Sequence, residues 1–549
     1  MKSIEAAQPE RLRSVSLASR WIIPAILLIL FTLQSFWFIH TQSLTYDEPA
    51  HIIAGTDAWQ QGRFERWNDH PPLGRLWLTL LLRHTPIDFT QQAWEGELRI
   101  TSMRPGPEWL GLRTRPLNTL LGLALGVAVW FATRRIFSEG AANVALALFA
   151  FTPSLLAHFS LATTDGIGAL FIFLVALQLV RWRHRPTAMQ TLLMGMVLAG
   201  LLLSKFYAPP LVALALALML VLDLSGRRLV AARWNWKPTF AAVAIAILLV
   251  WAGYFFHISH LKVGDGQVVA TYPNRPVRVW TARTNLHVNT FVPAGEFFEG
   301  LREVIRNNHR GRPAWLLGRI YPNGGTKLYY LAAIPLKWPT ILLLLCVLSL
   351  VLGIRRTSRA FHDLLLMLTF PLLYFVFALT SRYNIGERHI LPLYPFVLLL
   401  AGGVWEHARK SRVAKTLVVL ALCLNAADSL RYAPDYLSYF NVFVKPQNTW
   451  RLLTDSNLDW GQGLIALRKY QHEHPNEILH LVYFGTIDPE LYGVHAVSLE
   501  PGERTTGKIV IGGTLLSGQV LSDTGAYRWL WPDQPECLIN HSLWVYDLK

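Results

Sequence analysis

The run Trp21-Ile-Ile-Pro-Ala-Ile-Leu-Leu-Ile-Leu-Phe-Thr-Leu-Gln-Ser-Phe-Trp-Phe-Ile39 carries no charge and leads directly to Thr45-Tyr46-Asp47-Glu48-Pro49-Ala50-His51. About twenty apolar residues suffice for a transmembrane helix. The run is too long for a signal-peptide core and has no small-residue cleavage site, so it is expected to remain as an anchor. Asp47 and Glu48 are then placed at a membrane surface. A second polar set follows at Trp67-Asn68-Asp69-His70-Pro71-Pro72-Leu73-Gly74-Arg75. Carboxylates and imidazoles at a low-dielectric boundary have tunable pKa values, which general acid–base chemistry requires. The plainer alternative is a capped loop helix, with Asp47 as N-cap, Pro49 in the first turn, and Asp69 and His70 solvated.

Composition favours a membrane protein. Of 549 residues, 52% are hydrophobic and 16% charged, against roughly 25% charged in soluble domains. The formal charge of +16 sits in short tracts between apolar runs, which points to topology and not to a nucleic acid partner. Cys346 and Cys423 lie in apolar runs and Cys537 has no evident mate, so no disulfide framework is implied.

Further apolar runs are read as spans at 116–131, 141–157, 166–180, 188–203, 209–222, 238–256, 336–353, 364–379, 390–405 and 416–427. Lys2, Arg11, Arg13 and Arg20 precede the first. Every second connector is an Arg/Lys tract, including Arg134-Arg135, Arg181 to Arg185, Arg227 to Lys237, Arg355 to Arg359 and Arg409 to Lys415. The positive-inside rule then predicts a polytopic α-helical membrane protein of about eleven transmembrane helices, with a cytoplasmic N-terminus and long outer loops at 41–115 and 257–325. Residues 71–82 read as a helix at the interface, anchored by Trp77. After Tyr432 the pattern changes: strands are expected at 451–455, 478–484, 508–512 and 543–546, and a helix at 463–471. The expected organisation is a membrane domain, 1–431, and a small C-terminal α/β extracytoplasmic domain, 432–549.

On this topology the unusual polar residues share one side. Asp47, Glu48, His51, Asp69 and His70 come from the first loop, His158 and Asp165 from the next outer turn, and Lys205 from the one after. Lys337 stands at a span end, and Arg382, Arg388 and His389 fill a later turn. Charged groups near hydrocarbon are functional candidates by default, although single lysines and arginines at span ends commonly snorkel. Together they suit a site handling a proton and an anion, as a lipid-borne phosphate would need. His51, His70, His158, Glu48 and Asp165 could also assemble zinc or magnesium, but none shows tight ligand spacing. Asp455, Asn457, Asp459 and Trp460 could bind a sugar or calcium; an Asx-rich turn is the favoured reading.

The residues from Asp47-Glu48 through His51, Gly62-Arg63-Phe64 and His70-Pro-Pro-Leu-Gly-Arg75 resemble the first luminal loop of protein O-mannosyltransferases, glycosyltransferase family 39 of the GT-C superfamily. Ala162-Thr163-Thr164-Asp165 resembles the second acidic turn of that superfamily, which includes bacterial aminoarabinose transferases acting on lipid A. Arg388-His389-Ile-Leu-Pro392 and Asp455-Ser-Asn-Leu-Asp-Trp-Gly-Gln462 are similar to motifs of bacterial members. Two departures stand out. Arg75 replaces the family lysine, and the eukaryotic MIR β-trefoil insert is missing, which leaves a protein acceptor open.

The resemblance implies an inverting transferase of the bacterial inner membrane. It would move a hexose or pentose from a polyprenyl-phosphate sugar donor to a hydroxyl of an acceptor protein, lipid or glycan on the periplasmic face. It implies Asp47 as general base, with Glu48 and Asp165 orienting substrates and tuning it. His51, Asp69, His70, Arg75 and His389 would line the substrate site, and Lys205, Lys337, Arg382 and Arg388 would hold the departing lipid phosphate. No cofactor is required on this reading. The rival classes are a flippase or transporter, which would favour midplane charges and internal repeats, and a binding protein for lipid-linked sugars.

Overall fold

The computed structural model describes residues 19–94, 97–224, 236–264, 267–271, 278–281, 288–353 and 359–549. Lys2, Arg11, Arg13, Arg227, Arg228, Arg233, Arg355 and Arg356, on which part of the topology reading rests, lie outside the described residues.

The chain is built on a helix bundle. The first apolar run is helix α1 (Ser19–Thr41). Its Trp21, Ile22, Ile26, Ile29 and Leu33 are exposed while Phe31 and Phe38 are fully buried. An apolar outer face of this kind suits lipid and not water. The first loop folds into α2 (Glu48–Gln61) and α3 (Pro72–Leu78). Trp77 donates its indole N–H to the Leu117 carbonyl at 2.8 Å. The bundle continues with α4 (Pro107–Ile136), α5 (Glu139–Ala150), the short α6 (Pro153–His158), α7 (Asp165–His184), α8 (Ala188–Leu202), α9 (Ala208–Leu224) and α10 (Trp236–Gly253). Pro153 interrupts the expected third span, because a proline within it removes a backbone donor.

Helix α11 (Gly295–Arg310) lies in the second long loop. Helices α12 (Tyr329–Lys337) and α13 (Thr340–Leu352) meet at Trp338-Pro339 with a bend of 107°, so the helix within the expected span 336–353 starts only after the bend, at Thr340. They are followed by α14 (Arg359–Leu379), a 3-10 turn over Glu387–Leu393, α15 (Tyr394–Gly402), α16 (Trp405–Ala408) and α17 (Arg412–Leu430). Among the described residues, 7 helical stretches are long and apolar enough to cross a membrane, or 8 if the bent pair counts as one span. Helices α5, α8 and α9 occupy three other expected spans but are shorter.

The loops carry sheet. Strands β1 (Asp88–Trp94) and β2 (Glu97–Arg104) form an antiparallel hairpin in the first loop. Strands β3 (Ile258–Gly264), β4 (Gln267–Thr271), β5 (Arg278–Thr281) and β6 (Val288–Pro293) form an antiparallel sheet ordered β5-β4-β3-β6. The pair β7 (Ala314–Leu316) and β8 (Arg319–Tyr321) follows. After α17 the chain forms β9 (Leu479–Val482), β10 (Val497–Ser498), β11 (Gly507–Gly512), β12 (Cys537–Ile539) and β13 (Leu543–Leu548), ordered β10-β9-β11-β13-β12, with α18 (Leu464–Glu473) against the sheet. The strand expected at 451–455 is absent: 3-10 turns at Pro446–Arg451 and Asp455–Asn457 take its place, and Asp455 adopts φ +58°. A β-strand has no room for that backbone conformation.

The C-terminal sheet shares its core with the first loop. Leu44, Ile52, Ile53 and Leu78 pack in one buried cluster with Leu467, Leu481, Val510 and Leu543. Strand β2 joins the same body, since the Ile100 N–H donates to the Thr486 carbonyl at 2.7 Å.

Candidate active site

Asp47 occupies the N-cap position of α2, yet its side chain makes no capping bond. It turns instead to Arg388, whose Nη1 donates to Asp47 Oδ2 at 2.9 Å. The same Nη1 reaches Asp165 Oδ2 at 3.4 Å, and Lys205 Nζ holds Asp165 Oδ1 at 2.7 Å. Asp165 begins α7 and Lys205 lies just past α8, while Arg388 lies in the 3-10 turn ahead of α15. Four helix ends therefore converge on an alternating chain of charge, Asp47–Arg388–Asp165–Lys205. Asp165, Lys205 and Arg388 have side chains 5%, 11% and 7% exposed, and Asp47 27%, so the chain opens outward at Asp47. Arg388 Nε is buried and has no hydrogen-bond partner among the described residues. A buried donor left over is unusual, because burying an unmade hydrogen bond costs about 1–3 kcal/mol.

Glu48 is adjacent in sequence but separate in space. As the first residue of α2 it points inward, fully buried, against Arg115 of α4. Arg115 Nε and Nη2 grip its two oxygens at 2.8 and 2.7 Å. The N–H groups of Thr45 and Ala162 donate to it at 2.7 and 2.6 Å. The remaining guanidinium hydrogens cap the carbonyls of Ile39, Gln42 and Ser43 at the end of α1. Glu48 therefore ties α1, α2, α4 and the turn before α7 together, with no oxygen left for a substrate. Arg115 was not singled out from the sequence; an arginine at the start of an apolar run was the available signal.

His51, Asp69, His70 and Arg75 form a second group beside the first. Arg75 Nη2 meets Asp69 Oδ1 at 3.2 Å and its Nε meets His51 Nδ1 at 3.3 Å. The His51 and His70 rings pack edge to face at 4.9 Å. Burial, reinforced by Arg75 for His51 and by Lys205 for His70, holds both imidazoles well below their usual range. A small cavity lies against this group, lined by Ala54, Ala58, Arg66, Asn68, His70 and Arg75 among others.

Three sequence candidates are committed elsewhere. All three hydrogens of the buried Lys337 Nζ go to carbonyls of the C-terminal segment, Leu437 at 3.0 Å, Tyr439 at 2.5 Å and Asn457 at 2.6 Å. Arg382 is exposed and donates to the carbonyls of Asn323 and His309. His389 lies next to Arg388, with Nδ1 at 3.0 Å from the Tyr383 carbonyl and 3.2 Å from the Tyr330 hydroxyl.

The metal alternative does not assemble. Glu48 is spent on Arg115, and Asp165 on Lys205 and Arg388. No group of three or more His, Cys, Asp or Glu side chains close enough to hold a metal occurs among the described residues.

The Asp455–Gln462 stretch, favoured above as a turn, does form a turn, and it lies inside the site. The Trp460 ring lies under Arg388, with its centroid 4.1 Å from the guanidinium carbon. Tyr46 N–H donates to the Trp460 carbonyl at 2.8 Å and Ser43 N–H to the Gln462 carbonyl at 3.0 Å, directly ahead of Asp47.

Residues 112–252 match the family model for dolichyl-phosphate-mannose-protein mannosyltransferases. That segment contains Asp165 and Lys205. No curated protein is similar enough in sequence to count as a relative. Among solved structures, the chain is similar to the S. cerevisiae protein O-mannosyltransferase Pmt1-Pmt2 complex bound to the sugar donor. Identity there is 11%, over 77% of this chain and 91% of that one, with a TM-score of 0.51. ArnT from Cupriavidus metallidurans bound to undecaprenyl phosphate gives 13% identity over 96% and 98%, with a TM-score of 0.49. The fold is thus similar to that of the protein O-mannosyltransferase complex, and the family-39-like resemblance is supported by the family model over residues 112–252.

Proposed function

We propose that this protein is an inverting membrane glycosyltransferase that moves a sugar from a polyprenyl-phosphate donor to an acceptor hydroxyl. The observation that carries the reading is the shared guanidinium of Arg388, which joins Asp47 to Asp165 and Lys205. It sets a candidate base next to cations suited to a phosphate.

In the reaction, Asp47 takes the proton of the acceptor hydroxyl. The acceptor oxygen bonds to the anomeric carbon as the bond from that carbon to the phosphate oxygen breaks. Polyprenyl phosphate leaves with one more negative charge than it had as the sugar diester. Arg388, through its unpartnered Nε, and Lys205 meet that growing charge, which stabilises the transition state more than the ground state. Asp165 holds the two cations in place. Glu48, Lys337 and Arg382 have structural roles on this reading, and His51, His70, Arg75 and Asp69 shape the wall of the substrate site.

The proposed setting is the inner membrane of a bacterium, with the N-terminus cytoplasmic, about eleven spans, and the site on the periplasmic face. Residues 1–431 would form the membrane domain and residues 432–549 an extracytoplasmic one. The sugar is a hexose or pentose and the acceptor a protein, lipid or glycan.

The test is to incubate the purified chain with a panel of polyprenyl-phosphate hexoses and pentoses plus membrane extract, and to follow released polyprenyl phosphate by mass spectrometry. Release should occur with one donor and fall about 10²–10⁴-fold in Asp47→Asn. A donor that crosses the bilayer unchanged, or release equal in Asp47→Asn, overturns the reading.

A further inference from the structure

Of the carboxylates Asp47, Asp165 and Asp455 that act on Arg388 among the described residues, Asp455 is not used by the reaction above. The residues after it are bonded to both sides of Gly386, directly ahead of Arg388. Ser456 Oγ donates to the Ile385 carbonyl at 2.9 Å, and Asn457 Oδ1 accepts the Glu387 N–H at 2.9 Å. The approach is close enough that a Cβ on Gly386 would fall 2.1 Å from Ser456 Oγ. This double attachment fixes the segment of Asp455 beside the Arg388 turn, within electrostatic range of Arg388, Asp47 and Arg312.

Asp455 is 7% exposed. Its Oδ1 accepts the Ser456 N–H at 2.6 Å, while Oδ2 accepts no hydrogen bond among the described residues. Its backbone is left-handed, φ +58°, which costs a non-glycine residue energy and persists only where surroundings impose it. Thr514 Oγ1 imposes it here, accepting the Asp455 N–H at 2.8 Å. A strained, nearly buried carboxylate with one free oxygen does nothing for the fold that asparagine would not do.

The site is also polarised. Its cations Lys205 and Arg388 lie at the buried end, bridged by Asp165, and its other carboxylates Asp47 and Asp69 lie at the exposed end, 27% and 45% exposed. The phosphate belongs with the first pair. What enters from the exposed end therefore meets carboxylates, which are acceptor-only groups and need donors opposite them.

We infer that Asp455 binds the acceptor: its free Oδ2 accepts a hydrogen bond from a second hydroxyl or amine of the acceptor and so holds the reacting hydroxyl against Asp47. This rests on the glycosyl-transfer reading. It makes the C-terminal segment part of the acceptor site.

The experiment uses the full chain in detergent, with Asp455→Asn and Asp455→Gly. Both replacements tolerate the left-handed backbone, so the fold is kept while the carboxylate is lost; thermal midpoints check this. Undecaprenyl phosphate serves as the probe of the buried end, and membrane extract is titrated as acceptor with the active donor. Expected is at least a tenfold rise in the extract needed for half-maximal release, with the donor KM and the undecaprenyl phosphate Kd changed less than twofold. An unchanged acceptor dependence overturns the assignment. So does a loss of undecaprenyl phosphate binding like that of Arg388→Ala, which would place Asp455 at the phosphate end. If the wild type binds undecaprenyl phosphate but releases none from any donor, the transfer reading itself fails.

Discussion

Arg388 and Asp47 are 341 residues apart in sequence and 2.9 Å apart in space, and the same guanidinium nitrogen reaches Asp165 at 3.4 Å. The guanidinium that makes both contacts lies over the Trp460 ring, its carbon 4.1 Å from the ring centroid. Arg388→Lys keeps the charge but removes the fork and the stacking. Release of polyprenyl phosphate is expected to fall at least tenfold, and to fall as far in Trp460→Leu but less in Trp460→Phe. Steady-state kinetics on the three variants checks this; a wild-type rate in Arg388→Lys would show that charge alone suffices.

Glu48 and Arg115 should behave differently from Asp47. Removing one partner of a buried ion pair leaves a stranded charge, at a cost of about 3–5 kcal/mol. Glu48→Gln is expected to lower the thermal midpoint and the yield of folded protein, while Asp47→Asn leaves both near wild type. Thermal unfolding in detergent followed by fluorescence separates the two neighbours.

Two lysines read alike in the sequence should also part. Lys205→Met loses the charge-assisted contact proposed for the phosphate, worth about 1.5–3 kcal/mol or roughly 10- to 150-fold in affinity. The expected result is a weaker undecaprenyl phosphate Kd, with a thermal midpoint lowered less than by Glu48→Gln because Arg388 still pairs with Asp165. Lys337→Met strands the carbonyls of Leu437, Tyr439 and Asn457, so the midpoint falls. A binding isotherm and a melting curve for each variant decide it.

His51 and His70 are held neutral by burial and by neighbouring cations. Their folded pKa values lie below the unfolded value of about 6.5, so the unfolded chain binds protons first as pH falls. Their contribution to stability is complete above pH 6.5 and is lost progressively below it. The thermal midpoint of wild type should therefore drop more between pH 7 and 5 than that of His51→Asn/His70→Asn. Equal slopes would show that neither imidazole is excluded from water.

Asp455 and Trp460 show where sequence reasoning stopped. The Asx-rich turn was legible, and so were the sheet strands near 478–484, 508–512 and 543–546. The turn's use was not, since that depends on which distant backbone groups Ser456 and Asn457 meet. Lys337 and Arg382 were chosen because charged residues at span ends are unusual, and both proved to be satisfied by carbonyls. Periodicity says that a charge is present, and only its surroundings say whether it is already neutralised or capped.

By itself the sequence determined the membrane-spanning helical character, the loop that presents Asp47, and the residue types of the site. Those follow from local properties: apolar length, breaks in periodicity, and charge beside hydrocarbon. The tertiary structure decided the division of labour between adjacent carboxylates. Helix α2 begins at Glu48, which turns that side chain into the bundle toward Arg115 and leaves Asp47 on the cap, facing Arg388. It also decided the 107° bend before α13 and the entry of Trp460 beneath Arg388. Each of these is a pairing between segments far apart in the chain, made because a buried charge must find its partner wherever the fold brings one within reach.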